Sequence, residues 1–167
     1  MLKEKVQKAL NDQMNFEIYS AYIYFAMAAW AEEKLFSGFA NWLRVQAGEE
    51  FFDHAAKFQK LITDCDGHVE FAKIDKPPHT WKSFVAVFEM AYNHERVVTD
   101  RINKLYDLAV TEDDKTTQQF LLWFIEEQVE EEKITRDLLA KLTLLKEQPQ
   151  ALFMMDQELA ARKFTKD

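Results

Sequence analysis

The chain of 167 residues is 48% hydrophobic with 14 Phe and 4 Trp, long enough to bury an aromatic core as a single domain over 1–167. Its 29 acidic residues against 21 basic ones give a net charge of −8 with no Lys or Arg run, which argues against nucleic acid as a partner. Cys65 is the only cysteine, the apolar run Ile18 to Ala31 is broken by Ser20 and too short for a bilayer, and MLKEKVQKALNDQM lacks the unbroken apolar stretch of a secretory signal, so no disulfide, no membrane partner and a cytoplasmic location are expected.

With 3 Gly and 3 Pro the chain is too poor in turn formers for a sheet protein and reads as all-α. A first helix is expected at about 4–33, burying Val6, Leu10, Met14, Glu17, Ala21, Tyr24 and Ala28 at three- and four-residue steps. A second, about 38–64 with Ser37 as N-cap, carries the stripe Leu43, Ala47, Glu50, His54, Phe58, Leu61 and Cys65. Gly67, Pro77 and Pro78 then interrupt the chain before a third helix at about 81–110, with Phe84, Phe88, Ala91, Glu95, Val98, Ile102 and Leu105 facing inward. The TEDDK turn caps a fourth at about 114–146, whose stripe is Leu121, Phe124, Gln128, Glu131, Leu138 and Leu142. Pro149 opens a short fifth helix at about 151–162, too short to stand alone and expected to pack on copies of itself or on its neighbours.

The first and last helix pairs are joined by a few residues and should form antiparallel hairpins. The link between the second and third helices, about Cys65 to Thr80, spans ~16 residues and reaches ~50 Å when extended. That exceeds the ~42 Å of a helix of about 28 residues. A four-helix bundle with one long crossover follows.

Each stripe is apolar except for one polar patch near its middle, so the patches should meet at one height. A lone glutamate on a helix is ordinarily a solvated charge, but four interruptions at one level are not. Buried unpaired carboxylates cost several kcal/mol each, on the order expected for desolvated charges, and repel one another. No Lys or Arg shares the stripes, whereas two divalent cations would cancel Glu17, Glu50, Glu95 and Glu131. Oxygen donors with one imidazole suit iron or manganese and tolerate zinc. The alternative is a metal-free polar core of protonated, hydrogen-bonded glutamates.

NDQMNFEIYSAYIY, AGEEFFDHAAKF, YNHERV, FIEEQVEEEK and ALFMMDQELAAR together resemble the non-haem ferritins of bacteria over nearly the whole chain. The resemblance implies a ferritin-like bundle, a hollow shell of 24 copies and a ferroxidase that oxidises Fe(II) with O2 or peroxide and stores ferric mineral. It implies two irons per subunit, one held by Glu17, Glu50 and His54, the other by Glu50, Glu95 and Glu131, with Glu50 bridging and Gln128 alongside. It implies a third, looser iron position at Glu49, Glu127 and Glu130 with Glu131, and a Tyr24 that hydrogen-bonds to the centre or gives up an electron. Phe51 and Phe52 stand where a haem-binding relative would offer methionine, so no haem is expected. Another oxidase or peroxidase of the di-iron class is the competing function. Against it, Ile134 stands three residues after Glu131 where many di-iron bundles carry a second histidine, so the second iron should be held more weakly, as a substrate passing through.

One departure lies in GEEFFDHAAKF. The family pattern places two residues between the bridging glutamate and the histidine, and here there are three. Asp53 sits at the usual spacing, but continuing from it gives Lys57, Lys60 and Asp64, whereas His54 leads to Phe58, Leu61 and Cys65. His54 is therefore expected to face the core and Asp53 a charged surface, and a π-bulge could restore the family geometry. Phe52 then points outward near Val45 and Ala56 as an expected subunit contact.

Overall fold

The structure, a computed structural model, describes residues 2–146 and 148–165. Helix α1 spans Glu4–Glu33, α2 Ser37–Glu49, a π-helical turn Glu50–Ala55, α3 Ala56–Asp64, α4 Phe84–Thr111, α5 Lys115–Leu145 and α6 Pro149–Leu159. Helix α2, the π-turn and α3 run on as one element, so the bundle has four long helices and a short fifth. No strand occurs among the described residues.

Caps explain most of the boundaries. Ser83 accepts a hydrogen bond from the Ala86 N–H and starts α4 later than the apolar pattern alone suggests. Asp114 does the same for α5 through the Thr117 N–H at 3.0 Å, as the TEDDK turn predicts. Ser37 is not an N-cap: it is the first residue of α2, behind Phe36, which offers no capping side chain.

The crossover from Cys65 to Ser83 is held by side chains of α1. Asn11 donates to the His68 carbonyl at 2.9 Å and accepts from the Glu70 N–H at 2.7 Å. Asn15, one turn on, repeats this with the Glu70 carbonyl and the Ala72 N–H, both at 2.7 Å. The two asparagines thus satisfy backbone groups that an extended strand would otherwise leave unpaired. The segment follows α1 upward until Trp81 meets Trp30 at 5.9 Å between ring centroids, so α4 begins at the end of the bundle where α2 begins.

Two hydrophobic clusters fill the interior, one above and one below a polar layer. The first gathers Met27, Phe39, Phe88 and Leu142, and the second Leu10, Phe58, Ile102 and Phe124. Each fully buried side chain of this kind contributes about 1.5–3 kcal/mol. The inward stripes of α1, α4 and α5 are buried as expected, whereas below Phe58 the core position is Ile62, with Leu61 and Cys65 only half-buried.

Helix α6 docks on its own chain. Leu152, Met155 and Leu159 enter the first cluster, and the buried Asp156 carboxylate accepts the Phe39 N–H at 2.9 Å at the start of α2. The approach is close: a Cβ on Gly38 would lie 1.7 Å from the Asp156 carbonyl oxygen. Gly38→Ala should therefore unseat α6 and cost at least about 1–3 kcal/mol, as overpacking does. A melting temperature within 1–2 °C of the parent, a roughly sub-kcal/mol change, would show that the contact is loose.

Candidate metal centre

The polar layer draws Glu17 from α1, Glu50 and His54 from the π-turn, Glu95 from α4, and Gln128 and Glu131 from α5, all 3% exposed or less. The π-turn explains how Glu50 and His54 share a face. One inserted residue is absorbed locally in a widened turn. His54 Nδ1 lies 3.0 Å from a Glu50 oxygen, and its ring is wedged edge-on against Trp123 and Phe124 at 5.6 and 5.8 Å.

Ligand atoms of Glu17, Glu50 and His54 all fall within 4.8 Å of one another, and so do those of His54, Glu127 and Glu131. His54 is thus common to an inner and an outer group of donors. Glu95 joins through the Tyr24 hydroxyl, which donates to it, and through the Gln128 amide, 3.3 Å from its carboxylate. Glu127 is half-buried and Glu130 exposed, and both line a cavity of about 250 Å³ that leads to His54 and Glu131.

Two further residues, Gln46 and Gln13, hold the carboxylates. The Gln46 amide donates to Glu50 at 3.1 Å and to Glu131 at 3.0 Å, tying α2 to α5. Gln13 donates to Glu17 at 2.7 Å and is itself held by the Arg101 guanidinium at 2.9 Å. Each glutamine precedes its glutamate by four residues, a spacing that marks one helix face and was available in the sequence.

The electrostatics are those of a crowded acidic site. Burial, then the neighbouring Glu50, raises Glu17 to about 8 and Glu131 to about 7. Burial with Glu50 and Glu131 pushes Glu95 well above the usual range. Burial also pushes up the Tyr24 phenol, reinforced by Glu95. Glu50 is the exception: burial raises it, but the charge and hydrogen bond of His54 and the Gln46 amide hold it low. For His54, burial lowers the imidazole, yet Glu50 and Glu17 carry it up to about 10. These shifts favour a charged His54–Glu50 pair and make Glu17, Glu95 and Glu131 hold their protons to higher pH than solvated glutamates do.

Several acceptors remain unsatisfied. Glu17 Oε2, Gln46 Oε1 and Gln128 Oε1 are buried with no hydrogen-bond partner, at a typical cost of about 1–3 kcal/mol each. Oxygen lone pairs left over in a closed layer fit a hard or borderline cation, and the single imidazole fits iron, manganese or zinc.

Residues 7–145 match the ferritin family, described as a ferritin-like domain. The chain belongs to the ferritin family. It is 40% identical over 159 residues to a probable bacterial non-heme ferritin-like protein of Haemophilus influenzae, covering 95% of this chain and 96% of that one. It is 37% identical to the bacterial non-heme ferritin of Staphylococcus aureus over the full length of both. Among solved structures, an engineered closed form of the Archaeoglobus fulgidus ferritin superposes with a TM-score of 0.97 at 43% identity, covering 99% of this ferritin and 100% of that chain. The open-pore ferritin of the same archaeon gives 0.95 at 42% identity, over 98% and 99%.

In this ferritin Asp53 departs from expectation. It does not lie on an open charged face: it is 5% exposed, with one carboxylate oxygen paired to Lys57 and Oδ1 buried without a partner beside the acidic cavity. The widened turn rotates it inward, where a uniform α-helical period would leave it out. Phe52 is 58% exposed as predicted, but Val45 is buried, and the apolar neighbour it shares the surface with is Phe51, at 5.1 Å.

Proposed function

We propose that this ferritin stores iron as a cytoplasmic shell of 24 copies, oxidising Fe(II) at a di-iron ferroxidase centre within each bundle and depositing ferric mineral in the hollow interior. The observation that carries this is the closed layer of Glu17, Glu50, His54, Glu95 and Glu131, drawn from every long helix and sealed between two hydrophobic clusters. Glu17, Glu50 and His54 would hold one Fe(II), and Glu50, Glu95 and Glu131 the other. Each iron gives up one electron, so an adjacent pair matches a two-electron acceptor such as O2 or peroxide.

The chain's own groups supply the remaining chemistry. Gln46 orients Glu50 and Glu131 toward one another, and Gln13 fixes Glu17. Tyr24, hydrogen-bonded to Glu95, would hold a proton on its phenol or supply an electron to the centre. Glu49, Glu127 and Glu130, with Glu131, would form an outer position for iron in transit. The two phenylalanine-rich packing layers cover the centre along the bundle axis, so the cavity lined by Glu49, Glu127 and Glu130 would be the way in.

Adding Fe(II) to the protein in air, while following ferric absorbance and particle size together, tests this function. Oxidation with mineral growth inside particles of constant outer diameter is expected. Rapid oxidation yielding only soluble or precipitated iron outside the protein would remove storage and leave a simple oxidase.

Self-assembly needs apolar surface, and the ring pair Phe51–Phe52 supplies it on the bundle, as do Phe153 and Met154 on the outer side of α6. Phe52→Asp should weaken assembly by burying a carboxylate at a contact between copies. Native mass is the readout. A variant that assembles as completely as the parent at micromolar concentration would take Phe52 out of the interface.

A further inference from the structure

Residues 160–165, which follow α6, run back along α2 and reach the acidic cavity. The Asn41 amide donates to the carbonyls of Leu159, Ala160 and Arg162 at 3.4, 3.3 and 3.0 Å, fixing its path. The Arg162 guanidinium lies over the Trp42 ring, 4.3 Å from its centroid, and Nη2 pairs with the Glu49 carboxylate. The Phe164 ring covers Gly48, where an added Cβ would sit 3.4 Å from it. Arg162 and Lys163 thereby wall the same cavity of about 250 Å³ as Glu49, Glu127 and Glu130. The Oδ1 of the 5% exposed Asp53 and the Nη1 of Arg162 both belong to this lining, and each is buried without a hydrogen-bond partner.

We propose that Arg162 is a tethered counter-ion that competes with metal for Glu49 and so sets how firmly the outer iron position holds its ion. This rests on the reading of the cavity as that outer position. A carboxylate neutralised by a guanidinium is a poorer ligand for a divalent cation, because the same lone pairs and charge serve both. Arginine keeps its charge at any working pH, so the competition is permanent. The Asn41 bonds anchor the backbone of Arg162 and the Trp42 ring keeps its guanidinium close when a metal takes Glu49, which gives it a high effective concentration for return. Iron entering the outer position must lift Arg162 from Glu49, and iron leaving it inward or toward the mineral lets Arg162 close again. The outer position is thereby kept a point of passage.

The test is Zn²⁺ titration calorimetry on the assembled full-length protein, since zinc binds without turnover, combined with hydrogen exchange of residues 160–165. For the parent, two tighter zinc ions and one weaker ion per subunit are expected, with exchange in the segment rising as the weak position fills. Arg162→Gln should tighten the weak position roughly tenfold, a 1.4 kcal/mol difference by the standard conversion, and change the tight pair far less. Arg162→Lys, which keeps the charge, should restore most of the weakness. An outer affinity that is unchanged or weaker in Arg162→Gln, or a weak position absent from both proteins, would overturn the proposal. So would exchange in the segment that ignores zinc. Absence of the tight pair, with the outer position still tightened by Arg162→Gln, would instead overturn the ferroxidase centre and leave the competition standing.

Discussion

Replacing His54 with alanine should slow Fe(II) oxidation by at least ~10–100-fold, the range that even indirect damage to a metal ligand produces, and leave the bundle folded. Replacing Asp53 with alanine should change the rate by less than roughly twofold, since a group outside the coordinating set carries no such penalty. The two residues are neighbours in a widened turn, and both are buried, so burial does not separate them. Partners do. His54 contacts Glu50 and sits within ligand distance of Glu17, while Asp53 spends its charge on Lys57, whose ammonium lies over the Trp123 ring. The His54 side chain packs against aromatic edges on one side and the carboxylates on the other, so its loss opens a small polar gap and little apolar cavity. Single-turnover absorbance with thermal melts of both variants separates the effects. A slow Asp53→Ala beside a fast His54→Ala would mean that the extra residue had moved the site.

Raising the pH from 6 to about 8.5 should destabilise the metal-free protein and strengthen its hold on metal. A raised folded-state pKa means that the native state binds its proton more tightly than the unfolded chain, so that stability is present at low pH and lost as pH rises. For Glu17 the loss runs from 4.5 to about 8, and for Glu131 from 4.5 to about 7. For His54 it runs from 6.5 to about 10. Glu50, held low, contributes in the opposite sense, but only below 4.5, outside this window. Each unit of displacement is worth about 1.4 kcal/mol, so these groups together shift stability by several kcal/mol on the order-of-magnitude scale. Metal should reverse the trend, because Glu17, Glu95, Glu131 and His54 would have to release protons to bind it. Melting curves at pH 6, 7 and 8.5, with and without Zn²⁺, measure both arms. A metal-free melting temperature that rises across this range would contradict the protonation pattern.

Much of this was legible in the sequence because helices convert spacing into direction. Glu17, Glu95 and Glu131 occupy stripes whose other members, Gln128 apart, are apolar or aromatic, and every stripe residue named on α1, α4 and α5 is buried. The second helix was harder for a specific reason. A uniform period carries a stripe through Leu61 and Cys65, but the π-turn absorbs a residue, shifts the phase, and hands the core position to Ile62 while turning Asp53 inward. Gln13 and Gln46 give a weaker signal because glutamine in a helix is ordinarily a surface residue, although each stands four residues before a stripe glutamate. Arg162 stands at the end of the expected fifth helix, but α6 stops at Leu159 and the residues beyond it are not helical. Their course depends on Asn41, Trp42 and Gly48, more than a hundred residues away in the chain, and only the folded molecule brings them together.

A pair of iron ions bridged by Glu50 is the occupant proposed for the buried acidic layer. Anomalous diffraction at the iron edge, from crystals soaked anaerobically in Fe(II), tests it most directly. Two peaks are expected on either side of the Glu50 carboxylate, one near Glu17 and His54 and a less occupied one near Glu95 and Glu131, where no imidazole contributes. Iron confined to the outer cavity or the protein surface, with no peak within coordination distance of Glu50, would contradict it.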